Sequence, residues 1–141
     1  MTARLIIAER SGRWAAAMRT ELVDTGVRLW EAGPRPDLAE VVAEAPASFL
    51  VLELTAKNAP WLLDALAHLP RRWPGVRAAI VADRSLADWE WLMREAGAVH
   101  FLTSPRKLAT LVDLACRHLA AAPAPRQTFF ERIWASLPWN A

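Results

Sequence analysis

One cysteine, Cys116, is all the sequence contains, so no internal disulfide can brace it. Glycine is scarce as well. Its 5 residues compose neither a P-loop nor a dinucleotide-binding fingerprint, which removes the commonest phosphate-cradling loops. Lysine is nearly missing: Lys57 and Lys107 apart, the basic residues are arginines scattered along the chain. With a net charge of only +2 and no dense basic stripe, nucleic acid is not an expected partner. No apolar run approaches membrane-spanning length, although 54% of the residues are hydrophobic and mean hydropathy is +0.11. Leu5-Ile6-Ile7-Ala8 is too short for a secretory core and Glu9-Arg10 follows at once, so a cytoplasmic location is expected. His68, His100 and His118 have no metal-ligand spacing. Neither a Ser-His-Asp arrangement nor a nucleophile elbow can be assembled. No catalysis, metal or cofactor is expected.

What is there is alternation. Five β-type runs, Leu5–Ala8, Val27–Trp30, Phe49–Leu54, Val76–Ala82 and Val99–Thr103, are separated by amphipathic stretches. Trp14, Met18 and Leu22 recur at helical spacing, and Gly26 closes that segment. Asp37 is placed to cap a helix in which Leu38, Val41, Val42 and Ala45 form one face. Asn58-Ala59-Pro60 opens a third helix, with Trp61, Leu62, Leu66 and Leu69 inward, closed by Pro70 and Pro74-Gly75. Ser85-Leu86-Ala87-Asp88 has capping-box form ahead of a fourth, with Trp89, Leu92, Met93 and Ala96 on one side. Leu108, Leu111, Val112, Ala115 and Leu119 define the fifth. Strict β-α alternation with short connections implies a parallel sheet covered on both faces. Five such units predict the flavodoxin-like doubly wound α/β fold with strand order 2-1-3-4-5 over residues 1–120.

A linker, 121–127, then leads to a tail over 128–141. Phe130, Ile133, Trp134 and Leu137 fall on one face of a short amphipathic helix, with Trp139 beyond it. Such a face either folds back on its own domain or docks in a groove of a protein partner. Few basic residues flank it, so a membrane surface is not expected.

Over residues 3–120 the order of elements resembles the receiver domain of bacterial response regulators. The most specific match is Val99-His100-Phe101-Leu102-Thr103-Ser104-Pro105, similar to the hydrophobic-aromatic-hydrophobic-Thr-Lys-Pro segment of that family. The resemblance places Phe101 at the family's switching aromatic and Pro105 at a proline often preceded by a cis bond. The phosphorylation residues depart from the pattern. Ser104 replaces the lysine, and Ala8-Glu9-Arg10 stands where two acidic residues would hold Mg²⁺. Glu53 replaces the phosphoacceptor Asp, and Ala82, followed by Asp83, replaces a Ser/Thr. A carboxylate displaced by one methylene, about 1.5 Å, is poorly placed for phosphoryl transfer that depends on positioning.

The resemblance therefore implies a degenerate pseudo-receiver: a non-catalytic signalling or scaffolding module working without phosphorylation. Glu53 paired with Arg10 would hold a fixed negative charge in place of a phosphoryl group; otherwise Glu53 is an ordinary strand-end carboxylate. Trp91, two residues from Trp89 on the fourth helix, points to a different side and is the expected partner-binding residue there. The resemblance implies that this helix and the fifth strand form the surface for a protein partner or a homodimer. Two alternatives stand: a residual phosphoacceptor or metal-binding receiver using Glu9, Glu53 and Asp83, and a flavodoxin-like ligand-binding domain.

Overall fold

The computed structural model describes residues 2–122 and 137–138. Five parallel strands, β1 (Leu5–Ala8), β2 (Leu29–Glu31), β3 (Phe49–Leu54), β4 (Arg77–Ala82) and β5 (His100–Leu102), form one sheet in the order β2-β1-β3-β4-β5. Helices α1 (Arg13–Leu22), α2 (Leu38–Glu44), α3 (Ala59–Arg72), α4 (Glu90–Ala96) and α5 (Leu108–Ala121) make or follow the crossovers. The doubly wound α/β fold expected from the alternation is the one found. Of the tail residues singled out above, Phe130, Ile133, Trp134 and Trp139 lie outside the described residues; Leu137 is half-buried.

β3 organises the core because it is paired on both sides, with β1 and with β4. Its side chains alternate between faces. Leu50, Leu52 and Leu54 pack under α2, α3 and α4, while Phe49 and Val51 pack under α1 and α5 with the fully buried Trp14 and Met18. Continuous apolar sequence is what a strand buried on both faces requires. At the amino end of the strands, the Ser48 hydroxyl donates to the Ala45 carbonyl (2.7 Å) and accepts from the Arg4 amide (3.1 Å). His118 Nε2 donates to the Ala47 carbonyl at 2.8 Å, tying α5 to the turn before β3. Asp37 caps α2 as expected, accepting from the Glu40 amide.

Four expectations are corrected. β2 begins at Leu29 rather than Val27, because the register opposite β1 starts with Leu5 beside Leu29. Of the two closing signals, Pro70 does not end α3, which runs to Arg72 and stops just ahead of Pro74-Gly75. The Leu66 carbonyl, which would have received the missing amide of residue 70, faces Gly97. A Cβ at Gly97 would lie 3.4 Å from that oxygen. The fourth crossover opens as a 3-10 helix over Arg84–Trp89, capped by Asp83 accepting from the Ser85 amide, rather than by a Ser85 capping box. Three residues per turn there change which side chains face inward. Only Met93 is fully buried, Trp89 and Ala96 are half-buried, and Leu92 is 40% exposed.

α1 starts without a capping side chain of its own. Gly12, at φ 78°, occupies the cap position in a left-handed conformation that favours glycine. Its carbonyl receives the Ala16 amide at 3.0 Å. The open amides of the first turn are taken by Glu9, which is 7% exposed. Glu9 Oε1 accepts from the Trp14 amide (3.0 Å) and Oε2 from the Ala15 amide (2.6 Å), with the Ser11 hydroxyl adding a third donor at 3.3 Å. A carboxylate at this end also meets the positive end of the helix dipole.

Glu9→Ala is expected to destabilise the fold by about 2–3 kcal/mol, the loss of hydrogen bonds to a charged group. It would read as a lower urea midpoint at unchanged m-value, and Glu9→Gln should lose less. A second expectation concerns His100, whose Nε2 is buried without a hydrogen-bond partner among the described residues. Burial, then the charge of Arg94, holds its pKa below the ordinary 6.5 against an opposing pull from Glu90. As pH falls below that value the unfolded chain binds the proton and the folded one does not, so stability declines. His100→Gln should flatten this slope in urea midpoints measured between about pH 7 and about pH 5.

Candidate functional site

In a doubly wound sheet, ligands and chemistry gather outside the carboxyl ends of the strands, where strand order reverses. That point lies between β1 and β3, whose connections leave to opposite sides of the sheet. Arg10 follows β1 and Glu53 sits next to last in β3. The two are brought together. Glu53 Oε1 accepts from the Arg10 amide at 3.1 Å, so the contact expected of the guanidinium is made by the main chain instead. Among the described residues, the Arg10 guanidinium has no carboxylate within ion-pair distance.

The other expected positions are distributed along the same edge. Ala82 is buried at the end of β4 and carries no hydroxyl. Asp83 is exposed, and its carboxyl is held below the ordinary 3.8 chiefly by the backbone and side-chain hydrogen bonds of Ser85. Burial opposes that shift slightly, and Arg13 and Arg84 add their positive charge to it. Ser104 accepts from the Arg106 amide at 3.3 Å and so caps the short 3-10 turn Pro105–Lys107. All described peptide bonds are trans, that between Ser104 and Pro105 included. Phe101, 6% exposed, packs in the core layer beneath α3 and α4. Glu9 faces α1, as described above, and not Glu53. Among the described residues no three His, Cys, Asp or Glu side chains converge as a metal would need.

Two residues that the sequence did not single out complete the site. Arg35, from the loop after β2, and Lys57, from the loop after β3, border a cleft of about 440 Å³ with Arg10, Pro34, Glu53 and Ala56. The β3–α3 loop is fixed by Asn58, whose Oδ1 accepts from the Thr55 amide and whose Nδ2 donates to the Glu53 carbonyl, both at 2.7 Å. The only signal for the cleft in the sequence was topological: both cations stand in loops that follow strands neighbouring the switch point.

A second surface lies at the far edge of the sheet. Trp91 is 72% exposed on α4, as its offset from Trp89 requires. Leu92 on the same helix and Val99 before β5 are also exposed, the latter at 39%. The other described tryptophans are buried or half-buried. The Trp30 ring carries the guanidinium of Arg4 and that of Arg28, each 4.1 Å from its centroid, and Arg72 stacks on Trp73.

No protein-family model matches the sequence, and no curated protein does. Solved structures do match in shape. A response regulator from Thermotoga maritima superposes with a TM-score of 0.65 at 13% identity, over 86% of this chain and 100% of that one. A CheY-like protein, tadZ, from Pseudomonas aeruginosa gives 0.63 at 16% identity, over 87% and 98%. A CheY-like response regulator receiver domain protein from Methanospirillum hungatei gives 0.59 at 13% identity, over 85% and 98%. The fold of this chain is that of response regulator receiver domains.

Proposed function

We propose that the domain is a signalling or scaffolding module that binds a protein partner without being phosphorylated. One observation carries this reading: the carboxylates at the ends of β1 and β3 already have internal partners. Both oxygens of Glu9 bind amides of α1, and Glu53 accepts from the Arg10 amide. Mg²⁺ favours several hard oxygen ligands in octahedral array, and here the other charged residues lining the cleft with Glu53 are Arg10, Arg35 and Lys57. A residual receiver using Glu9, Glu53 and Asp83 would have to break a helix cap, a loop contact and a turn to bring them to one ion. Glu53 would instead supply permanently the negative charge that a phosphoryl group supplies on demand.

The partner surface of this reading is α4 with the β5 edge. Trp91 offers a large rigid ring of the kind enriched at interface hot spots, flanked by Leu92 and Val99. A second copy of the chain or a different protein would both fit it.

Amide NMR on the full chain tests the first part. Titration with Mg²⁺, then with Mg²⁺ and beryllofluoride, is expected to leave Glu9, Glu53 and Phe101 unshifted. Saturable shifts running from Glu53 to Phe101 would refute a phosphorylation-independent module. For the surface, Trp91→Ala should change stability by no more than about 0.5 kcal/mol while shifting any concentration-dependent dimer toward monomer in sedimentation. A core role would show as a loss of about 3 kcal/mol or more.

A further inference from the structure

Most arginines of the described chain are occupied. Arg4, Arg19, Arg94 and Arg117 form ion pairs with Glu44, Glu31, Glu90 and Asp113. Arg13, Arg28 and Arg72 lie over tryptophan rings, and Arg77 donates to the carbonyls of Pro74 and Val76. Arg71, Arg84 and Arg106 have no ion-pair partner among the described residues either, so what sets the three cations at the switch-point cleft apart is that they converge. Arg10, Arg35 and Lys57 come from three separate loops, face one volume of about 440 Å³, and have no ion-pair partner among the described residues. Three positive charges there stand against one carboxylate, Glu53.

The loops that carry them are preorganised. The Arg10 amide is held by Glu53 at 3.1 Å. The Lys57 amide donates to the Thr55 hydroxyl at 3.3 Å, inside the loop that buried Asn58 locks from within. Arg35 Nη2 reaches the Lys57 carbonyl across the cleft at 3.5 Å, a long contact that joins the β2 and β3 loops. Fixing several cations around one cavity raises their mutual repulsion, and an anion of matching size relieves it. Between the charges the walls are largely carbon, with Pro34 and Ala56 providing flat apolar surface. The volume falls within the range of about 300–1,000 Å³ typical of small-molecule sites.

We infer that this cleft binds a phosphorylated small molecule of nucleotide size. Its phosphates lie among Arg10, Arg35 and Lys57, and its uncharged body lies against Pro34 and Ala56. Glu53 uses Oε1 for the Arg10 amide, which leaves Oε2 for a hydroxyl or amino donor on the ligand. Binding is non-covalent and requires no metal. The inference stands apart from the α4 surface, since the cleft lies on the β1–β3 side of the sheet and α4 at the β5 edge.

The test is amide NMR of the full chain in Mg²⁺-free buffer at low salt, because exposed charges are screened beyond a Debye length of about 10 Å at 0.1 M. The probes are ADP, inorganic pyrophosphate, adenosine and sulfate. Saturable shifts confined to Arg10, Arg35 and Thr55 to Asn58 are expected with ADP, weaker ones with pyrophosphate, and none with adenosine. Arg35→Ala and Lys57→Ala, both exposed positions, should each weaken ADP binding about tenfold, the worth of one charge-assisted hydrogen bond, with the remaining spectrum unchanged. Three results would overturn the inference: an ADP affinity weaker than about 10 mM, shifts that sulfate reproduces at equal concentration, or ADP binding indifferent to both substitutions.

Discussion

Parallel strands cannot be joined by a tight turn, so each chain segment leaving the carboxyl end of a strand must travel back over a face of the sheet. That constraint collects the five strand-following loops along one edge, and each must begin a helix there. Helix starts expose amides. In this chain the polar side chains of the edge are consumed in satisfying them or the loops before them: Glu9 for α1, Asp37 for α2, Asn58 within the loop before α3, and Asp83 and Ser104 for the two 3-10 turns. These carboxylates therefore serve architecture. What the edge retains without ion-pair partners among the described residues is positive charge, and the order β2-β1-β3 gathers three such groups around one cleft. The opposite edge carries Ser48 and His118, which close the bottom of the sheet with hydrogen bonds to main-chain groups.

Legibility in the sequence followed the range of the interaction involved. β3 was readable from end to end because burial on both faces leaves no polar position except Glu53 at its exit. The Asp37 cap was readable because donor and acceptor lie three residues apart. The offset of Trp91 from Trp89 was readable as helical geometry. Non-local main-chain contacts were not. The Arg10–Glu53 contact spans 43 positions and uses an amide that every residue but proline possesses, so nothing in side-chain identity distinguishes it from a guanidinium pair. Glu9 as the cap of α1 was hidden because the acid precedes Gly12 and reaches forward five and six residues. Pro70 was read as a stop, yet a proline near the end of a helix removes just one bond, and the freed carbonyl meets Gly97 from another element.

A receiver-type switch works by adding charge at the end of β3 and moving an aromatic residue on β5, with β4 between them. Each state must then be favoured by different contacts. On the reading proposed above, the charge at Glu53 is permanent and hydrogen-bonded to the neighbouring loop, and Phe101 is already buried in the core layer. No phosphorylation-dependent change of charge then remains at the end of β3 to bias one state over another. A ligand can shift an equilibrium only through differential affinity for its states, so on this reading control of the domain comes from a binding event. The cationic cleft is where a negative charge from solution would alter the local electrostatics most, because it would neutralise groups that the fold leaves unpaired beside Glu53. On that same reading the end of β3 carries its own charge at Glu53, and the cations bordering it attract an anion from solution.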